Sequence, residues 1–377
     1  MTDKGRAELT FLANNGTGEV RLHTTDVNLL STSTMSMLAK ELQAKSSDIA
    51  WRDILTHVTG NTIEFIRRGE PAEEIWPTDE NVETRYLVNP LLYLGHPTVI
   101  FGDYGSLKSL VALTVAYVVQ LPYTNNCLAL GTLAESTQCL YLDYEDDRRS
   151  FARRLGAIQR GFGEASMPIC YRRMTRALSD DVDQIAKIIA DKDIKFLIID
   201  SLGPAARGNL NDPEPAIKYH AALRELGITS LTLAHNAKSL PGQKPSTSIF
   251  GSVFFTNLAR SVWQCKSDQE AGDEEATVML KHMKANLSRL HPPLGFKFKF
   301  GERDISIRHV DISETALETE LSLSTRITAI LRGGEKSLSN ITAILDNKEE
   351  TVRRTLYRMA KKEQVVKVGQ SWGLRQR

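Results

Sequence analysis

The stretch VIFGDYGSLKS, Val99 to Ser109, decides the fold. An apolar run meets a glycine-bearing turn, and the turn feeds the apolar, helix-forming run SLVALTVAYVV. Strand, turn and helix in that order follow the G-x-x-x-x-G-K-[ST] pattern, whose backbone amides wrap nucleotide phosphates at a helix N-terminus. The pattern predicts an ATP-binding segment made of Gly102, Asp103, Tyr104, Gly105, Ser106, Leu107, Lys108, Ser109 and Leu110. Lys108 would reach the β- and γ-phosphates, and the Ser109 hydroxyl would ligate Mg2+. Leu107 departs from the pattern, which asks for glycine there. If the backbone turns left-handed at that point, a non-glycine residue costs on the order of 1–3 kcal/mol.

Working outward, FLIID at 196–200 is an apolar strand that ends in an acid, which places Asp200 behind the metal. CLYLDYE at 139–145 ends in Glu145, the first choice for the base that polarises an attacking water. Asp146 and Asp147 fit better as helix-starting residues, since carboxylates favour a helix N-terminus. SLTLAH at 230–235 ends in His235, a polar tip able to sense a γ-phosphate. The runs 97–102, 139–145, 196–200 and 230–235 alternate with helical stretches at 109–121, 147–160, 180–191 and 214–226. Such alternation predicts an α/β fold with a buried parallel sheet. After Arg260 the pattern turns to hairpins, SVWQC, TVMLKHM, GFKFKF and ISIRHV, which should extend the sheet with antiparallel strands.

Together, IFGDYGSLKS, LYLDYEDDRRSFARRL, FLIIDSLGP, LTLAHNAK and GSVFFTNLARSVW resemble the RepA-like, AAA_25-type branch of the RecA/DnaB superfamily, over roughly residues 85–305. The resemblance implies a RecA-like core, Mg-ATP hydrolysis between subunits of a homo-oligomer, a hexamer in replicative helicases, and an arginine finger donated across the interface. It gives Lys108 and Ser109 the phosphate and metal roles, Glu145 the base, Asp200 the acid behind the metal and His235 the sensor. Arg260 matches the finger position, and Lys284 in KHMKANLS is its rival. In such motors the loops after the strands ending at Asp200 and His235 face a central channel. Arg207, Lys238 and Lys244 are then candidate contacts for single-stranded DNA.

The flanks are expected to be separate units. Residues 1–32 read as a polar tail or short strands, and 34–68 as two or three helices, in a module spanning 1–85 that precedes a core at 86–310. Residues 321–377 read as three helices and a hairpin, the order of a winged helix-turn-helix, with 12 basic against 5 acidic side chains. Arg353, Arg354, Arg358, Lys361 and Lys362 crowd its third helix, which enters the major groove of duplex DNA in that motif. A protein-interaction winged helix would look the same at this level.

The whole chain, at 377 residues and a net charge of +1, is not uniformly basic, so charge has meaning only region by region. Four cysteines without CxxC spacing suggest neither a zinc site nor a disulfide framework, and a cytoplasmic setting is expected. No apolar run is long enough to span a bilayer. The expectation is a DNA-dependent, helicase-like ATPase serving replication or repair. Its rivals are an ATP-regulated DNA-binding switch and a recombinase-like adaptor.

Overall fold

The computed structural model describes residues 6–14, 19–68, 72–77, 84–163, 166–237 and 248–375. The chain divides into two compact units, residues 1–81 and 82–377. In the first unit, β1 (Arg6–Asn14) and β2 (Glu19–Asn28) form an antiparallel ribbon, followed by α1 (Thr32–Lys45) and α2 (Trp51–Arg68). Of the two readings open for residues 1–32, a polar tail or short strands, the ribbon matches the strands. Its alternation is masked by threonines and charges on the exposed face, while Val27 and Leu29 join Leu38, Leu42, Trp51 and Leu55 in a small core. Ser31 caps α1 through its hydroxyl.

The second unit begins with β3 (Tyr86–Asn89) and β4 (Leu92–Tyr93), then β5 (Pro97–Gly102) and α3 (Lys108–Val118). After the short β6 (Gly131–Thr132) come β7 (Cys139–Asp143), α4 (Arg148–Phe162), β8 (Cys170–Arg173), α5 (Val182–Asp191) and β9 (Phe196–Asp200). The core continues through α6 (Leu202–Ala206), α7 (Pro213–Leu226), β10 (Thr229–His235) and α8 (Phe254–Leu258). It closes with β11 (Ser261–Asp268), β12 (Glu275–Ala285), β13 (Leu294–Phe300) and β14 (Ile305–His309).

One nine-stranded sheet organises these elements in the order β14-β13-β12-β11-β5-β10-β9-β7-β8. The six strands from β11 to β8 run parallel, and β12, β13 and β14 add to the edge antiparallel. SVWQC, TVMLKHM, GFKFKF and ISIRHV pair antiparallel in succession, as the hairpin pattern predicts. SVWQC also runs parallel to β5 on its other side, with Cys265 beside Gly102, a pairing the pattern does not show. Strand β8, whose CYRR carries no apolar run, was invisible to hydropathy and forms only as an edge beside β7.

Apolar cores cover both faces of the sheet, one built around α3 and α4, the other around α6 and α7 with α8. Helix α3 is buried on all sides but for Ser109, which fits a helix apolar all round. Its chain enters from β5 and crosses over two strands to β7, so β5 is a point where the strand order reverses. Open α/β sheets bind ligands at such points, beyond the carboxyl ends of their strands.

The acidic segment 311–320 forms two short 3-10 turns, and Ile312, Leu317 and Leu321 pack with Met279. Beyond it stand α9 (Leu323–Arg332), β15 (Lys336–Ser337), α10 (Leu338–Leu345), α11 (Glu349–Lys361), β16 (Val365–Val368) and β17 (Ser371–Leu374). The three helices share a core with Val365 and Trp372 of a three-stranded sheet ordered β15-β17-β16. All four cysteines are free thiols. Among the described residues no helix is long and apolar enough to cross a membrane.

Candidate functional site

Strand register brings the site together. Gly102 lies beside His235 of β10 and Cys265 of β11, Leu233 beside Asp200, and Asp200 beside Asp143 of β7. The carboxyl ends of β5, β10, β9 and β7 thus form one edge, and the segment Asp103–Leu107 arches over it.

The arch is a tight one. A Cβ on Gly102 would stand 2.3 Å from the Cys265 carbonyl oxygen, so only glycine fits there. Gly105 adopts φ +76°, and Leu107 sits in the left-handed region at φ 61°, ψ 20°. The strain conditional on that backbone is therefore present, and it is opposed by packing of the Leu107 side chain against the core around α3. The Cys265 thiol donates to the Ser106 carbonyl at 3.1 Å and fixes the floor of the arch. Burial pushes that thiol up to about 12 despite the nearby Lys108, so it is held as an unreactive donor. From the other side Asn236 Nδ2 donates to Asp103 Oδ1 at 2.8 Å.

Lys108 is 7 % exposed. Its ammonium donates to the carbonyls of Gly102 (3.0 Å) and Asp103 (2.7 Å) and to Ser106 Oγ (3.2 Å). Burial lowers its pKa, against the pull of Cys265, Asp200, Glu145 and Asp103. Asp200, 6 % exposed, accepts from the Tyr141 hydroxyl at 2.7 Å. Burial raises its carboxyl above the usual range, while hydrogen bonds from Tyr141 and Ser109 act in the other direction. Ser109 and Asp200 therefore meet.

Glu145 projects from the turn after β7. Asp143, buried beneath it, accepts from the amides of Glu145 (3.0 Å) and Asp146 (2.9 Å) and so sets the turn. The Ser201 hydroxyl donates to Glu145 Oε1, and His235 Nε2 lies 3.7 Å from the same oxygen. That separation makes the imidazole an electrostatic neighbour rather than a hydrogen-bond donor. His235 is the largest influence holding the Glu145 carboxyl below its ordinary range, with Ser201 and Lys108 in support and partial burial in opposition. Asp146 pairs with Arg154 at 2.6 Å, and Asp147 caps α4 by accepting from the Arg149 and Ser150 amides.

Other expected residues lie elsewhere. Arg260 and Lys284 come close to each other at the opposite end of the sheet, where the Arg260 amide donates to Pro97 and the Arg260 charge lowers the Lys284 pKa after burial. Neither can reach the phosphate loop of its own chain. The Lys284 ammonium is engaged by the carbonyls of Thr256 (2.9 Å), Asn257 (2.8 Å) and Ala259 (2.7 Å), which close the end of α8. Arg260 is exposed, with no ion pair among the described residues. Arg207 is exposed just beyond α6. Lys238 and Lys244 lie outside the described residues. On α11, Arg353 and Arg354 pair with Glu349 and Glu350, whereas Arg358, Lys361 and Lys362 are exposed without an ion pair among the described residues.

Sequence reasoning missed Tyr141, Ser201, Asn236 and Cys265. Each adjoins or lies on a strand that the reading had found, but only the register shows which neighbour its side chain meets.

The mostly parallel sheet and this edge have the layout of a RecA-like P-loop core. Residues 71–240 match the family of the AAA domain, AAA_25. Among solved structures the chain is similar to the KaiC-like protein PH0186 from the hyperthermophilic archaeon Pyrococcus horikoshii OT3, at 16% identity and a TM-score of 0.38, covering 59% of this chain and 93% of that one. A search of curated proteins found no match.

Proposed function

We propose that this chain hydrolyses Mg-ATP and couples hydrolysis to DNA, as an oligomeric, helicase-like motor of replication or repair in the cytoplasm. The observation that carries the reading is the convergence of Lys108, Ser109, Asp200, Glu145 and His235 at the carboxyl edge of one sheet. Lys108 would exchange the loop carbonyls for β- and γ-phosphate oxygens. Asp200, buried and raised in pKa, lacks a salt-bridge partner among the described residues, so a cation held beside Ser109 would offset its charge. Magnesium is a cation that takes one or two protein ligands alongside phosphates and water. Bound there, Mg2+ would neutralise charge on the phosphates during transfer.

Glu145, kept ionised at neutral pH, would take the proton of the attacking water. His235, beside it, would register the γ-phosphate. Arg260 is the better placed of the two trans candidates, because Lys284 already satisfies three carbonyls while Arg260 is exposed. We assign the core to residues 86–310 and a winged helix to 321–377, a reading supported by the helix order and the three-stranded sheet of that region. Arg358, Lys361 and Lys362 would meet duplex phosphates there, with Arg353 and Arg354 contributing once released from their glutamates. Arg207, Lys238 and Lys244 would meet single strands in the core of a hexamer.

ATP turnover measured with and without single-stranded DNA, together with unwinding of a forked duplex, tests the proposal. DNA-stimulated turnover with strand separation is expected. Slow turnover indifferent to DNA, with tight duplex binding and no unwinding, would favour an ATP-regulated DNA-binding switch. That second reading has one observation behind it, the strained Leu107 before an ammonium already engaged by the loop.

A further inference from the structure

Ser201 is the residue after Asp200 and the N-cap of α6, and its hydroxyl makes no cap hydrogen bond. Serine at an N-cap ordinarily accepts from the amide of the second or third helical residue. Here the third is Pro204, which has no amide, and the hydroxyl turns away from the helix to donate to Glu145 Oε1. Ser201 is 3 % exposed, so the hydroxyl is shielded from competing water. Glu145, by contrast, has a side chain 47% exposed. A carboxylate that exposed would sample several rotamers unless something fixed it. A local rule broken in favour of a long-range contact marks a functional site more often than a structural one.

We propose that Ser201 is a positioning residue for hydrolysis: its hydroxyl holds one oxygen of Glu145 so that the other faces the attacking water. This rests on the reading of Glu145 as the base. The two residues come from neighbouring strands, because β7 and β9 align Asp143 with Asp200. Ser201 thus ties the base to the same strand end that carries the acid behind the metal. His235 acts on the same oxygen from β10 but at 3.7 Å, so among the described residues the directional bond to the carboxylate is that of Ser201. Both contacts fall on Oε1, which leaves Oε2 to accept the proton of water. Losing the hydroxyl would free the carboxylate to rotate and would raise its pKa, since a donor to the charged form favours ionisation.

The test compares Ser201→Ala, Ser201→Thr and Glu145→Gln with the wild type. Ser201→Ala is expected to lower kcat by about ten- to a hundredfold, the scale of one hydrogen bond to a charged group. KM for ATP should stay within about twofold, as for a group that does not touch the ground state. The acid limb of the pH–rate profile should move to higher pH, and Ser201→Thr, which restores a hydroxyl, should recover most of the rate and the original limb. Wild-type kcat with an unmoved acid limb in Ser201→Ala, alongside loss of activity in Glu145→Gln, would overturn the assignment while leaving the ATPase reading intact. Equal loss in Ser201→Ala and Ser201→Thr, with a lowered Tm in both, would reduce Ser201 to a packing role. The carboxyl titration of Glu145, followed by carbon-13 NMR and assigned with Glu145→Gln, is independent of turnover. A higher pKa in Ser201→Ala supports the hold of Ser201 on Glu145 and an unchanged one overturns it, whereas a wild type that fails to hydrolyse ATP would overturn the reading of Glu145 as the base.

Discussion

The carboxyl edge of the sheet and the surface of α11 both collect lysines or arginines with carboxylates, yet the two regions use charge in opposite ways. At the edge, Lys108 is buried and held by three oxygens, and Asp200 is buried against a tyrosine hydroxyl. On α11, Arg353 and Arg354 make i,i+4 pairs with side chains 53% and 79% exposed. An exposed pair of this kind contributes about 0.3–0.5 kcal/mol. Removing one member of a buried charged cluster costs several times more, because the remaining groups are stranded away from water. Position, rather than residue type, separates a reactive charge from a solvated one.

Substitutions that cross this divide should differ accordingly. Glu145→Gln is expected to lower turnover by about 10²–10⁴ while nucleotide affinity is kept, checked by steady-state kinetics beside titration calorimetry. Retention of turnover would remove Glu145 as the base. Lys108→Ala should weaken nucleotide binding by about two orders of magnitude, the scale for truncating a buried charged contact, and calorimetry with a slowly hydrolysed ATP analogue would show it.

Away from the edge, His220 tests what burial, aided by the charges of Lys284 and Arg224, does to an imidazole. It is 5 % exposed, with one ring nitrogen 3.3 Å from the Phe255 carbonyl, and burial lowers its pKa to about 4. The unfolded chain therefore takes up this proton at higher pH than the folded one. The contribution to stability is complete above about pH 6.5 and falls away toward pH 4, by on the order of 3 kcal/mol. Denaturant midpoints of His220→Gln measured across that window should decline less steeply than those of the wild type.

A smaller effect is expected at Leu107. Alanine there keeps the left-handed strain and loses apolar packing, whereas glycine relieves the strain, so Leu107→Gly should be about 1 kcal/mol more stable than Leu107→Ala. Equal midpoints would show that no strain is stored. The smallest change belongs to Arg354→Ala, within about 0.5 kcal/mol in stability, with any loss of DNA affinity vanishing at high salt.

Much of this edge was legible in the chain. The strand ends at Gly102, Asp200 and His235, and the capping role of Asp147, follow from local signals: an apolar run, a turn residue, a helix start. Leu107 announced its own strain by standing where glycine belongs. What stayed hidden depends on register between distant segments. Nothing local in DSLGP says that the serine hydroxyl serves Glu145 rather than its own helix, and nothing in SVWQC says that Cys265 supports the phosphate loop from a parallel strand. Strand β8 was hidden, and the ribbon β1–β2 left undecided, for a related reason: their side chains alternate without a strong apolar contrast, and pairing partners rather than hydropathy define them. The sequence matches Arg260 to the finger position with Lys284 as its rival, and the engagement of Lys284 by the helix end at Thr256–Ala259 is visible only in the structure.

Helix α3, apolar on every side and enclosed by the sheet and its neighbours, has a mechanical consequence. Its amides should be among the slowest in the molecule to exchange with deuterium, and on the proposed function the element that would grip the phosphates becomes a stationary frame. Movement on turnover would then fall to the turns after β7, β9 and β10, with the phosphate loop as the anvil and its neighbours as the moving parts.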